Sequence, residues 1–309
     1  MTERWTDADA APWLRPPGPA DSKYRRGVLG VRAGSAQFPG AAVLAASAGW
    51  RTGVGLLRYV PPLNDPGSSF GLPSPAAAVL AARPETVFGE PAGRPCDAWL
   101  VGSGTDPETR SPAEHAAVLK LFTDAAPVVV DAGALGLVVE ARSGALQPAD
   151  AAAPLILTPH AGEFARLWRQ AGLGPSPAAL DDPLDAAARA AAAQRLAVAL
   201  GATVLLKGAV TVSATPGGRR YYAGPATARL ATAGTGDVLA GILSALAALH
   251  AARVRAEPEL LGELGVTAAL LHDRAARIAS GATGRPIVAL DVADALPDAV
   301  AALAALAAG

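Results

Sequence analysis

The run Leu230-Ala231-Thr232-Ala233-Gly234-Thr235-Gly236-Asp237 sets a carboxylate inside a glycine turn that opens directly into the apolar stretch Val238-Leu239-Ala240-Gly241-Ile242-Leu243. Glycine lets the chain turn tightly with its N–H groups unobstructed. The start of the following helix then offers unpaired N–H groups and the positive end of a dipole, which attract an anion. An acid repels that anion, so Asp237 fits such a turn only if it acts on a neighbouring hydroxyl. An anion cradle with a carboxylate inside it predicts phosphoryl transfer. Asp237 would be the catalytic base, and Gly234, Thr235 and Gly236 the anion hole that steadies the moving charge. The competing reading is an acid that merely caps the helix.

Other polar residues follow short apolar runs, the position where parallel α/β sheets place their chemistry. Gly34-Ser35, ahead of Pro39-Gly40-Ala41-Ala42, either admits a ligand close to the backbone or packs a helix tightly on the sheet. Gly102-Ser103-Gly104 is a glycine turn. Asp131 ends the run Pro127-Val128-Val129-Val130; alone it reads as a helix cap, and it gains a site role only where its neighbours converge on it. In Leu157-Thr158-Pro159-His160-Ala161-Gly162-Glu163, the histidine and the glutamate share one side of a first helical turn. That spacing is too long for an H-x-H zinc pair and lacks a third ligand. Glu163 reads equally as an ordinary acid at a helix start. Lys207, before Gly208-Ala209, either snorkels to solvent or is aimed into a phosphate site. No P-loop, strand-linked G-x-G-x-x-G or nucleophile elbow occurs.

The elements that must position these residues alternate. Strands are expected over 28–33, 54–60, 98–101, 128–131, 155–158 and 204–207, with helices over 40–51, 113–123, 162–170 and 185–200 between them. Apolar strands interleaved with helices predict an α/β fold whose parallel sheet is covered on both faces. A hairpin is expected from 210–214 and 219–223 around Pro216-Gly217-Gly218. Three helices, 235–250, 258–280 and 291–307, then close the chain. The proline-punctuated residues 1–22 read as an irregular arm, and 23–309 as a single domain.

Composition excludes several classes. The 309 residues are 51% hydrophobic and 17% charged, which supports a sizeable core rather than disorder. A net charge of −1 offers no case for nucleic acid or for an anionic membrane surface. The single Cys96 forms no internal disulfide and no Cys-based zinc cluster. The acidic start lacks a secretory signal, and the longest greasy stretch, 238–252, is too short to span a bilayer. A soluble, cytoplasmic protein is expected.

In this order and spacing, the motifs from Asp21 to His272 resemble the ribokinase-like superfamily and, within it, the ADP-dependent NAD(P)H-hydrate dehydratase family. The carriers are Lys23-Tyr24-Arg25-Arg26-Gly27-Val28-Leu29, Ala33-Gly34-Ser35, Pro39-Gly40-Ala41-Ala42 and Arg51-Thr52-Gly53-Val54-Gly55. Val130-Asp131-Ala132, the Thr158–Glu163 stretch, Leu206-Lys207-Gly208-Ala209 and the turn at Asp237 complete them. The T-P-H-x-G-E pattern is the most specific: related vitamin kinases carry Asn where His160 stands.

The resemblance implies a three-layer sandwich with a mostly parallel central sheet. It implies the hydrate of NADH or NADPH against Ala42, Gly104, His160 and Asp237, and a nucleotide against Lys207, Gly208, Ala209, Val210, Thr211 and Gly236. It further implies ADP as co-substrate, Mg²⁺ organised by Glu163 through water, a homo-oligomer (a homotetramer), and a separate NAD(P)H-hydrate epimerase acting in the same pathway. Two departures stand out. Gly102-Ser103-Gly104-Thr105-Asp106 replaces the family's G-P-G-x-G, and Asp131-Ala132-Gly133-Ala134-Leu135 lacks the second acid of D-A-D-A-L. The alternative reading is a kinase of a small vitamin-precursor alcohol (hydroxymethylpyrimidine, pyridoxal or thiazole), which shares the Gly234–Asp237 turn; a non-catalytic nucleotide sensor is a third.

Overall fold

The computed structural model describes residues 1–14, 16–65, 67–68, 70–143 and 152–307. Its strands, in chain order, are β1 (Glu3–Arg4), β2 (Val28–Arg32), β3 (Leu56–Tyr59), β4 (Val87–Phe88), β5 (Ala98–Val101), β6 (Val128–Val130), β7 (Leu155–Leu157), β8 (Thr203–Leu206), β9 (Thr211–Ala214) and β10 (Arg220–Ala223). They form one ten-stranded sheet in the order β1-β10-β9-β8-β7-β6-β5-β2-β3-β4. Every pairing from β4 across to β8 is parallel, while β8, β9 and β10 pair antiparallel through the expected hairpin.

The strand period of two explains the two cores. Leu29, Val31, Leu100, Val129, Ile156 and Leu205 join a cluster with helices Pro39–Thr52, Thr235–Leu249, Leu261–Ser280 and Leu296–Ala305. Their neighbours Val28, Val101, Val130, Leu157 and Leu206 join the cluster on the other face, under helices Pro112–Leu121, Leu135–Ser143, Ala161–Gln170 and Ala186–Leu200. The α/β three-layer expectation holds.

Two expectations give way. The segment 1–22, expected to be irregular, contains β1 paired with β10, the helix Asp7–Ala10 and a short 3₁₀ turn at Ala11–Trp13. Its aromatic residues anchor it: the buried Trp5 donates its indole N–H to Thr267 Oγ1 at 2.9 Å and meets Tyr221 edge-on at 5.1 Å. Thr6 and Asp9 form a capping box on the helix between them. The closing helix expected over 291–307 is instead two, Ala289–Asp294 and Leu296–Ala305, meeting at Ala295 just ahead of Pro297. Proline is tolerated in the first turn of a helix but not within one.

Candidate active site

Strand geometry brings the polar strand ends together. Asp131, Thr158 and Lys207 lie two residues beyond Val129, Ile156 and Leu205, so they continue the same face of the sheet. That is the face on which helix Thr235–Leu249 begins. The Asp131 carboxylate accepts Ser103 Oγ–H at 2.8 Å, Thr158 Oγ1–H at 2.6 Å and the Lys207 ammonium at 2.9 Å. Burial opposes its ionisation, but the Lys207 charge and the two hydroxyls outweigh that, and the carboxyl is held below its usual range. Burial likewise works against the Lys207 ammonium; Asp131, Glu163 and Asp237 together prevail and raise its pKa. Asp131 makes no side-chain hydrogen bond to the helical turn that follows it, so the cap reading fails.

The glycine turn forms as expected. Gly234 is left-handed at φ 85° and has no side-chain cap bond. The Thr235 hydroxyl donates to the carbonyls of Leu230 and Thr232, each at 2.9 Å, which ties the turn down from its far side. Among the described residues the N–H groups of Thr235, Gly236 and Asp237 have no acceptor, so the cradle is open to a ligand. A Cβ placed on Gly236 would lie 3.6 Å from Lys207 Nζ, so the ammonium stands over the turn. Asp237 has no hydrogen-bond partner among the described residues. Burial, reinforced by the charge of Asp131 and opposed by Lys207, pushes its pKa up to about 6. That is a carboxylate poised to take a proton near neutral pH.

His160 stands at the N-cap of helix Ala161–Gln170 with its side chain 61% exposed. Its Nδ1 accepts the N–H groups of Gly162 and Glu163 at 3.0 and 3.3 Å, while Glu163 Oε2 accepts the His160 N–H at 2.8 Å. The pair is therefore a capping box at the end of β7, and Nδ1 as acceptor leaves the ring proton on Nε2, which lies 3.6 Å from Glu163 Oε2. Glu163 keeps its other oxygen free of any hydrogen bond among the described residues and contributes to the field on Lys207.

Two further expected residues, Ala42 and Gly104, pack at the start of helix Pro39–Thr52. Ala42 is fully buried, with its Cβ 2.8 Å from where a Gly34 Cβ would sit. Gly104 is left-handed at φ 64°, and a Cβ there would lie 2.3 Å from Ala41 Cβ; the glycine lets this turn close over the start of helix Pro39–Thr52.

Beside the turn lies a cavity of about 450 Å³ whose wall includes Lys207, Gly208, Ala209, Thr211, Thr235 and Gly236. Val210, expected with them, is buried in the hydrophobic cluster of the opposite face, because successive residues entering β9 alternate sides. The rest of the wall was missed; it includes Ala226, Leu230, Leu239, Ala269 and the buried His272. Burial, helped by Lys207 and resisted by Asp273, lowers the His272 pKa to about 4, so the ring is neutral. A lone histidine among the apolar residues of a long helix gives no local signal of this placement. Apolar walls beside an ammonium and open N–H groups suit an adenine-like ring with phosphates at one end.

The described residues contain no group of three or more His, Cys, Asp or Glu able to hold a metal ion. None of their helices is long and apolar enough to cross a membrane.

Several known proteins resemble this chain. A family model described as NAD(P)H-hydrate dehydratase matches residues 29–298. The bifunctional NAD(P)H-hydrate repair enzyme Nnr of Mycobacterium tuberculosis is 43% identical over 235 residues, covering 75% of this chain and 43% of that protein. The ADP-dependent (S)-NAD(P)H-hydrate dehydratase of Neisseria meningitidis is 37% identical over 227 residues, 72% of this chain and 69% of that protein. Among solved structures, an ADP/ATP-dependent NAD(P)H-hydrate dehydratase from Bacillus subtilis, co-crystallised with ATP/Mg²⁺, superposes with a TM-score of 0.75 at 25% identity, covering 98% of this chain and 99% of that one. The chain spans less than half the length of the Nnr relative.

Proposed function

The chain belongs to the NAD(P)H-hydrate dehydratase family, and on that premise we propose that it removes water from the (S)-hydrate of NADH or NADPH with ADP as phosphoryl donor. The observation that carries the reading is the unpaired Asp237 carboxylate, poised near pH 6 beside open N–H groups and a fixed ammonium.

Hydroxide is a poor leaving group, and phosphate is a far better one. Asp237 takes the proton of the ring hydroxyl as its oxygen attacks the terminal phosphorus of ADP. A new P–O bond forms, the bond to the α-phosphate breaks, and AMP departs. The N–H groups of Thr235, Gly236 and Asp237, with the Lys207 ammonium, meet the charge on the moving phosphoryl. The ring nitrogen's lone pair then expels phosphate, and loss of a proton from the adjacent ring carbon restores the dihydronicotinamide. The cavity walled by Ala209, Leu230 and Leu239 takes the adenine. His160, its side chain 61% exposed at the end of β7, is the residue that meets the hydrate in this reading.

Mg²⁺ fits only in part. Glu163 has one oxygen unused by its capping box, and among the described residues it belongs to no group of three or more ligating side chains, which suits an ion held through water and by the nucleotide's own phosphates. When bound, the ion supplies charge neutralisation of those phosphates. Because the Nnr relative is named bifunctional and this chain spans less than half of it, the epimerase partner is assigned to a separate segment or protein.

The test is to supply hydrated NADH, ADP and Mg²⁺ and to follow the absorbance of reduced nicotinamide. Recovery of that absorbance supports the dehydratase. Formation of a phosphorylated vitamin precursor in its place would move the reading to a kinase, and the absence of both to a nucleotide sensor.

A further inference from the structure

Lys207 is gripped at both ends. Its ammonium lies 2.9 Å from Asp131 Oδ1, and its carbonyl accepts Arg189 Nη2–H at 3.1 Å. Arg189 is only 1% exposed, and a Cβ on Gly208 would come within 2.7 Å of its Nη2, so the glycine makes room for the guanidinium. Asp131 in turn is held by hydroxyls from two neighbouring strand ends, Ser103 and Thr158. A lysine has four rotatable bonds, and three acids act on this ammonium: Asp131, Glu163 and Asp237. Among the described residues only Asp131 is in hydrogen-bond contact with it. Were it released, the ammonium would be drawn to the remaining carboxylates, one of which is the base.

Resting on the reading above, we infer that Asp131 is a positioning residue. It holds the Lys207 ammonium over the Gly234–Asp237 turn, where the phosphoryl group passes, and so keeps that cation from pairing with Asp237. One buried carboxylate thereby serves both halves of the site: it fixes the cation that meets the phosphate, and it leaves the base unpaired.

The groups facing Asp237 are Asp131 and Lys207, with Glu163 and His272 facing Lys207. In Asp131→Asn the ammonium turns to Asp237 and a like charge disappears, and both changes favour the ionised base. The Asp237 midpoint, followed by carbon-13 NMR and assigned with Asp237→Asn, should fall by roughly half a unit to one unit. Lys207→Met should move it the opposite way. Turnover of Asp131→Asn should drop on the order of tenfold to a hundredfold, with a smaller change in KM for ADP.

Asp131→Glu keeps the charge but shifts the carboxylate by one methylene. It should fold, and it should still lose about tenfold in kcat. It carries the test if Asp131→Asn fails to fold. An unmoved Asp237 midpoint in Asp131→Asn, or wild-type kcat in Asp131→Glu, would overturn the inference. The NMR readout needs no turnover. A wild type that leaves hydrated NADH unconverted while the midpoint still shifts would sink the proposed function and leave the positioning role standing.

Discussion

Arg32 ends β2 and Asp131 follows β6, at the same end of the sheet but on opposite faces, and the two clusters built on them differ in how charge is paired. The buried Arg32 guanidinium contacts Glu114 through Nε at 3.2 Å and Nη2 at 2.5 Å, and Glu90 through Nη1 at 2.7 Å. Glu114 also accepts the N–H of Leu63 at 2.8 Å, so both of its oxygens are engaged. Burial pulls the Arg32 pKa down, and the two glutamates more than restore it. The Asp131 cluster is arranged otherwise: its lysine satisfies one acid and leaves a second, the half-buried Asp237, without a hydrogen-bond partner among the described residues and with its pKa raised to about 6. A network that closes on itself holds loops in place. One that leaves an acid over holds reactivity, at a cost to stability.

The largest expected effect breaks the closed cluster. Glu114→Ala strands a buried guanidinium with only Glu90, and chemical denaturation should show a loss on the order of 3–5 kcal/mol. The folded fraction should keep its turnover, and a selective loss of activity without loss of stability would contradict the division between the clusters.

In the open cluster, Asp237→Asn should have the opposite sign. The folded-state pKa lies above the ordinary value of 3.8, so ionising Asp237 costs stability as pH rises past that value, and the cost is complete above about 6. Removing it should stabilise the protein at pH 8 by on the order of 2 kcal/mol, with the gain vanishing toward pH 4. Thermal melts of both proteins at the two pH values measure this.

Smaller is Gly236→Ala. Its Cβ would sit in ordinary contact with Lys207 Nζ at 3.6 Å, so the fold should hold while the cradle narrows. KM for ADP should rise about tenfold with stability changed by less than about 1 kcal/mol. Smallest is the His160 cap. His160→Ala should cost about 1 kcal/mol of stability, whereas His160→Asn, a good N-cap, should cost only tenths. An increase in KM for the hydrate in the Asn variant then isolates the histidine's contact with substrate from its cap.

Much of this was legible where local rules apply. The two-residue period that sends Val129, Ile156 and Leu205 to one face also carries Asp131, Thr158 and Lys207 there, and counting it along the sequence would have raised Asp131 above a helix cap. The Gly234–Asp237 turn was legible because glycine freedom and a helix start are local. Partnerships across long stretches of chain were not: Arg32 finds Glu114 82 residues away, and Trp5 finds Thr267 262 residues away, which is why the first 22 residues read as irregular. The burial of Ala42 and Val210 was not legible for a related reason. Motif spacing names the neighbourhood of a ligand, and the side a residue faces is decided by packing, which buries both. His272 lies on a helix that only tertiary contact brings to the cavity.

The central claim is that Asp237 is the base, and the pH dependence of kcat/KM for hydrated NADH in wild type and Asp237→Asn tests it most directly. The account predicts a wild-type rate that falls on the acid side through a midpoint of about 6. It predicts a variant slower on the order of a thousandfold, without that limb, and with ADP affinity preserved. Near-normal turnover in Asp237→Asn, with the acid limb intact, would contradict it.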